Sequence, residues 1–144
     1  MKRRNSYFMV AILSIACGCF TACKDEEPLP EQPRPVWGVE YGIYTESSMT
    51  AIVILPENLQ PYAQDDDMVA AFVGNECRGI GELINGAYYI LIKGAPNEYA
   101  GISFLYYSSR NKYLYTTAPN LPFEPDTRFG SVDEPEVLVL SVVK

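Results

Sequence analysis

The run Met68-Val69-Ala70-Ala71-Phe72-Val73, Gly74-Asn75, Glu76-Cys77-Arg78-Gly79-Ile80-Gly81-Glu82-Leu83-Ile84, Asn85-Gly86, Ala87-Tyr88-Tyr89-Ile90-Leu91-Ile92-Lys93 decides how this chain folds. Three apolar stretches are joined by two dipeptides, Gly74-Asn75 and Asn85-Gly86, that favour two-residue hairpin turns. The turns tie the stretches into an antiparallel meander and fix its register. Counted from the first turn, Phe72 faces Cys77, Ala70 faces Gly79 and Met68 faces Gly81. Counted from the second, Leu83 faces Tyr88, Gly81 faces Ile90 and Gly79 faces Ile92. One face then carries Met68, Ala70, Phe72, Cys77, Leu83, Tyr88, Ile90 and Ile92, and it has no charge. That is the expected core face. The other mixes Glu76, Arg78, Glu82 and Lys93 with Val69, Ala71, Val73, Ile80, Ile84, Tyr89 and Leu91. A bulge at Gly79 or Gly81 is the alternative, and it flips the faces beyond it. On the simple register Cys77 is a small core residue. A reactive thiol needs an exposed, electropositive setting.

Outward from the meander, short apolar runs alternate with Gly, Pro and Asn/Asp punctuation, and helical periodicity is nearly absent. The pattern predicts strands over 39–44, 49–55, 68–73, 76–84, 87–93, 102–107, 112–116 and 136–142. About eight short strands at this spacing predict an all-β fold, an antiparallel β-sandwich over residues 36–144. A single domain of that length hides roughly two-thirds of its unfolded surface.

The N-terminus reads as an address. Lys2, Arg3 and Arg4 precede an apolar run from Tyr7 to Ala16, too short for a membrane span of about 20 residues. Residues 1–22 are expected to be a signal peptide. Thr21-Ala22-Cys23 resembles the lipobox of bacterial lipoproteins, with Phe20 in place of the usual leucine. Cys23 is the expected lipidation site, because it ends the apolar stretch and opens Lys24-Asp25-Glu26-Glu27; Cys17 and Cys19 are rival sites. A lipidated cysteine with two or more acyl chains anchors stably. The acidic residues after Cys23 resemble the export signal of surface lipoproteins in Bacteroidota. The expected location is the cell outer membrane, lipid-anchored and surface-exposed. Residues 23–35, with Pro28, Pro30, Pro33 and Pro35, read as an extended tether.

Residues 1–22 hold three of the eleven basic residues and none of the eighteen acidic ones, which leaves eight against eighteen and a net charge of −10 for the remainder. Such a surface excludes nucleic acid and peripheral binding to anionic lipid. Beyond residue 22 only Cys23 and Cys77 remain, so acylation of Cys23 leaves no intramolecular disulfide.

Asp67 to Gly79, with its Ala-Phe-Val-Gly-Asn-Glu-Cys-Arg-Gly core, resembles a recurrent hairpin in secreted and surface proteins of Bacteroidota. Trp37, Ser48-Met49-Thr50 and Gly101-Ile102-Ser103-Phe104-Leu105-Tyr106 are similar to the same family's flanking positions. The resemblance implies a small β-sandwich surface module, often beside adhesive or carbohydrate-acting domains, with no catalytic role to carry over.

The chain has no histidine, which removes the commonest general base, the Ser-His-acid triad and the usual zinc sites. Glu76 and Glu82 are the remaining carboxylate pair for glycosidase chemistry, and an acidic sandwich of this size rarely encloses a catalytic cleft. The expectation is no enzyme and no cofactor. Asp65-Asp66-Asp67 offers oxygen ligands for calcium but lacks the EF-hand alternation; a solvated acidic loop is the plainer reading. Seven tyrosines fall between Tyr88 and Tyr115. In adjacent pairs one ring faces outward. Trp37, Tyr89 and one of Tyr106/Tyr107, with Tyr107 as the candidate, are positioned to stack on a sugar or protein partner. The expected function is a lipid-anchored, non-catalytic module for adhesion or for glycan or protein binding. The alternative is a structural subunit of a larger cell-surface complex.

Overall fold

The structure, a computed structural model, describes residues 27–40 and 46–144. The expected signal peptide and Cys23 lie outside the described residues. So does most of the expected strand over 39–44, while Val39 and Glu40 are not in a strand. The described chain is all-β. Its strands are β1 (Ser47–Ile54), β2 (Met68–Val73), β3 (Glu76–Ile84), β4 (Ala87–Gly94), β5 (Gly101–Ser108) and β6 (Tyr113–Thr116). Four two-residue strands follow: β7 (Leu121–Pro122), β8 (Arg128–Phe129), β9 (Glu136–Val137) and β10 (Ser141–Val142).

The hydrogen-bonded order is β10-β6-β5-β2-β3-β4-β1-β8, with β7 beside β5 and β9 beside β1. The sheet is mixed rather than wholly antiparallel, because β8 and β9 run parallel to β1. Parallel neighbours need a long connection, and almost the whole domain lies between β1 and β8. The 68–73 and 76–84 boundaries match the sequence reading. The run over 136–142 divides instead, and Leu138 between its two short strands turns into the core.

The two turns behave as their residues dictate. Gly74 has φ 57°, Asn85 has φ 51° and Gly86 has φ 83°, all left-handed. Between them β3 changes partner. It pairs with β2 up to Ile80 and with β4 from Gly81 onward. The first register breaks after Phe72↔Cys77, since Ala71 then pairs with Gly79 and Ala70 with Ile80. Arg78 is left without an opposite residue, which makes a bulge. Past it, the expected pairing of Ala70 with Gly79 is corrected by one residue, and the faces exchange. Leu83↔Tyr88 and Gly81↔Ile90 hold as counted.

The core therefore takes Val69 and Ala71 from β2, not Ala70 and Phe72. They meet Met49, Ala51 and Val53 of β1, Tyr88, Ile90 and Ile92 of β4, and Ile102, Phe104 and Tyr106 of β5. The glycines of the corner are steric requirements. A Cβ on Gly79 would run into the Leu91 carbonyl oxygen and come within 2.9 Å of Ile90 Cγ2. A Cβ on Gly81 would lie 2.9 Å from the Val69 carbonyl oxygen.

The bulge also buries Arg78. Its guanidinium donates to both oxygens of Glu98, at 2.7 and 2.6 Å, to the Lys93 carbonyl at 3.2 Å, and to Glu76 at 3.3 Å. Glu98 also accepts from the Ala95 amide, so the β4–β5 loop is clasped to the bulge. The Arg78 hydrogen bonds hold the Glu98 carboxyl below its ordinary value, with burial opposing and the Ala95 amide assisting.

The outer face of β2 and β5 is not bare. The Pro-rich segment, read from the sequence as an extended tether over 23–35, packs along it from Glu31 onward. The Gln32 amide donates to the Lys112 carbonyl at 2.7 Å, and Lys112 Nζ meets Glu31 at 3.1 Å. Ala70 and Phe72 are thereby buried on the side away from the main core. Cys77, expected in the core, is half-buried on this outer side.

Gly79→Ala is expected to lower unfolding free energy in urea by about 1–3 kcal/mol, as overpacking does. Gly38→Ala, where a Cβ meets nothing within 4 Å, serves as the control and changes little. Glu98→Gln is expected to cost about 2 kcal/mol at neutral pH, the worth of a charged hydrogen bond. A depressed carboxyl contributes stability above its unfolded pKa and loses it as pH falls through the folded one. The melting-temperature gap between wild type and Glu98→Gln therefore narrows on acidification through and below the carboxylate range.

Candidate functional site

Pro33 and Pro35 keep the N-terminal segment extended and bring Trp37 onto the outer face of β2. There the indole stands edge-on to Phe72, with ring centroids 5.6 Å apart and planes at 76°. Phe72 is available only because the Arg78 bulge turned it outward. Around the pair lies a cleft of about 340 Å³, lined by Val36, Trp37, Gly38, Glu40, Phe72, Asn75, Glu76 and Cys77. The Gly74-Asn75 turn closes one end. Trp37 is only partly covered and the rim carries two carboxylates and an amide. Such a cleft can stack a flat apolar face and accept hydrogen bonds from hydroxyls around it.

Cys77 sits in the wall of this cleft but is not tuned for chemistry. Burial pushes its thiol up, and a backbone hydrogen bond at Gly79 only partly offsets that. Neutral pH leaves it a thiol.

The remaining candidates separate. Tyr89 is half-buried on β4, opposite Ile52 and Glu82 and outside the cleft. Tyr107 is corrected as a ligand platform. It is 4 % exposed, and its hydroxyl donates to the Gln32 carbonyl at 3.3 Å. Its ring does face away from the core, as strand alternation requires, but the Pro-rich segment covers it.

The three aspartates likewise diverge. Asp67 is buried and its carboxylate is taken up by protein donors. Oδ2 accepts from the Tyr106 hydroxyl at 2.6 Å and the Gln64 amide at 3.0 Å. Oδ1 accepts from the Ser109 amide and hydroxyl, both at 2.8 Å. Asp66 Oδ1 lies 2.6 Å from the same Ser109 hydroxyl, whose single proton the two carboxylates share, and Asp66 pairs at the surface with Arg34. Asp65 is exposed at the edge of a different cavity. Among the described residues no three His, Cys, Asp or Glu side chains converge to hold a metal ion.

Sequence reasoning missed this Asp67 junction, and nothing in the spacing marks it, because Tyr106 and Ser109 come from β5 and the turn just past it, remote in sequence. It missed Phe72 as the partner of Trp37 for a different reason: the bulge. Compared with protein-family models, curated proteins and solved structures, the chain matches none.

Asp67→Ala strands a buried tyrosine hydroxyl and a serine amide, and is expected to cost about 3 kcal/mol in denaturant unfolding. Cys77 in the folded protein is expected to react with a thiol reagent several-fold more slowly than in urea, as a half-buried, protonated thiol must.

Proposed function

We propose that this chain is a lipid-anchored, non-catalytic β-sandwich module of the bacterial outer membrane, and that it holds a glycan in the Trp37 cleft. The observation that carries this reading is the Trp37–Phe72 pair with Glu40, Asn75 and Glu76 at its rim. An aromatic face flanked by acceptors suits a sugar ring, whose C–H face stacks and whose hydroxyls donate. The acidic chain supports the same choice, since it repels anions and offers no basic patch. The curled sheet, with strands on two sides of one core, is consistent with a sandwich. The lipobox-like Thr21-Ala22-Cys23 and the acidic residues after it support anchoring and a surface location. The likeness of the Asp67–Gly79 hairpin to Bacteroidota surface modules points to the same setting.

A second reading, a structural subunit of a surface complex, draws on one observation. Ile80, Ile84 and Leu91, on the outside of β3 and β4, are 43, 40 and 51 % exposed. Apolar residues gathered on one face suit a protein partner.

A glycan array on the purified protein separates the two. Trp37→Ala is expected to weaken the bound glycan about tenfold, the worth of one stacked ring, with the fold intact by circular dichroism. A blank array together with a co-purifying protein overturns glycan binding and supports the subunit. Cys23→Ala is expected to move the protein from the membrane to the soluble fraction. Retention in the membrane, with acyl label still incorporated, assigns the anchor to Cys17 or Cys19 instead.

A further inference from the structure

The sheet has two apolar outer faces, and the chain covers one of them itself. The Pro-rich segment lies over β2 and β5, where Ala70 and Phe72 are buried. Among the described residues nothing covers Ile80, Ile84 and Leu91 in the same way, and they stand 43, 40 and 51 % exposed on the outside of β3 and β4. Strand pairing gathers them into one patch. Glu82 lies opposite Tyr89 and Ile84 opposite Ala87. Across a strand pair such partners share a face, and alternation extends that face to Ile80, Leu91 and Lys93. The solvated side of an antiparallel sheet is ordinarily polar. Here β4 presents Ala87, Tyr89 and Leu91 before its first polar residue on that side, Lys93.

The pairing of β4 decides how the patch can be covered. Its backbone is hydrogen-bonded to β3 on one side and to β1 on the other. An added strand finds no edge there, so a partner must come face to face. Two charges then select among partners. Glu82 is level with Tyr89, and Lys93 stands four residues further along, roughly 14 Å away. They are too far apart to pair within one molecule, and among the described residues neither makes an ion pair. Leu91 lies midway between their levels. A two-fold axis crossing the strands at Leu91 exchanges the two ends. It sets Leu91 against its own copy and brings each Lys93 over the Tyr89 ring of the other molecule. That Lys93 is then one strand spacing, about 4.8 Å, to the side of the other molecule's Glu82. Two sheets packed with their strands roughly aligned meet in this way, and a patch that contacts itself about a two-fold is the commonest protein interface. A membrane surface supplies no cation for Glu82 and repels a chain whose residues beyond 22 carry a net charge of −10. An uncharged apolar partner desolvates both charges with nothing in return.

We infer that the outer face of β3 and β4 binds a second copy of this chain, with Ile80, Ile84 and Leu91 at the centre and Glu82 of each molecule paired with Lys93 of the other. The inference rests on the same exposed face as the subunit reading and gives that face its partner; it does not involve the Trp37 cleft. Three strands of eight or nine residues offer a face of roughly 14 by 26 Å. That is below the usual area of a permanent dimer, so association is weak and depends on concentration.

Sedimentation equilibrium of the purified Cys23→Ala protein, under reducing conditions and from about 10 µM to 1 mM, is expected to show monomer passing into dimer. Leu91→Arg is expected to keep the fold by circular dichroism and to remain a monomer throughout. Glu82→Lys and Lys93→Glu each set like charges together at two symmetric contacts, and each is expected to weaken the dimer about tenfold. An equimolar mixture of these two variants restores an opposite charge at both contacts, and is expected to associate about tenfold more tightly than either variant alone. A protein that stays monomeric at 1 mM overturns the inference. So does a dimer that Leu91→Arg leaves intact, or a mixture that associates no better than its components. A monomer that co-purifies with a different protein on this face overturns the inference and leaves the subunit reading standing. A monomer with no partner at this face ends both.

Discussion

At Gly79 the backbone of β3 lies against the Leu91 carbonyl, and at Gly81 against the carbonyl of Val69. No side chain fits at either point. This crowding is what lets one strand pass from β2 on one side to β4 on the other within the length of Gly79-Ile80-Gly81. An extra residue must be absorbed at the handover, and Arg78 is that residue. The resulting twist curls the sheet so that β2 and β4 direct side chains into a shared core. Were β3 to stay on one register, Val69 and Ala71 would turn outward and the core would lose one of its walls.

A bulge residue is awkward to bury, and here it is an arginine. Desolvating a guanidinium is expensive unless its donors are used. Glu98 takes two of them in a bidentate pair and Lys93 contributes a carbonyl. The Ala95 amide in turn fixes Glu98. The β4–β5 loop is thus shaped by the need to neutralise a charge that the corner forced inside. Asp67 solves the converse problem at the start of β2, where four donors from Gln64, Tyr106 and Ser109 converge on one buried carboxylate. The two buried charges close off opposite loops of the sheet.

Local signals made the meander readable. Gly74-Asn75 and Asn85-Gly86 located both turns, and β2 and β3 begin and end where the apolar runs do. Alternation on β4 was also legible, since Tyr88, Ile90 and Ile92 all reach the core. What failed was propagation of register across a bulge, because a one-residue slip reverses every side chain beyond it. Gly79 and Gly81 announced that something happens there, but not on which strand face it would leave Phe72 and Cys77. Tyr107 failed for another reason. Its outward direction followed from alternation, whereas its burial depends on Gln32 from a segment whose composition reads as tether. Trp37 was legible as a candidate stacking ring. The ring it docks against was not. The two-residue strands β7 and β8 carry too few residues to leave any periodicity.

The same corner leaves room at both ends of β3. A strand that serves two partners in turn cannot be fully flanked at both of its ends. Near Glu76 it has left the reach of β4, and the gap is roofed by Trp37. Near Ile84 it has left β2, and the gap is bounded by the 55–67 loop. Each opening lies beside a hairpin turn and is lined by carboxylate and amide side chains, with no cation lining it. The acidic residues thus divide by position rather than by number. Those clamped by donors, Asp67 and Glu98, hold loops in place. Those left at the rims, Glu40 and Asp65, clamp no loop and face the openings instead.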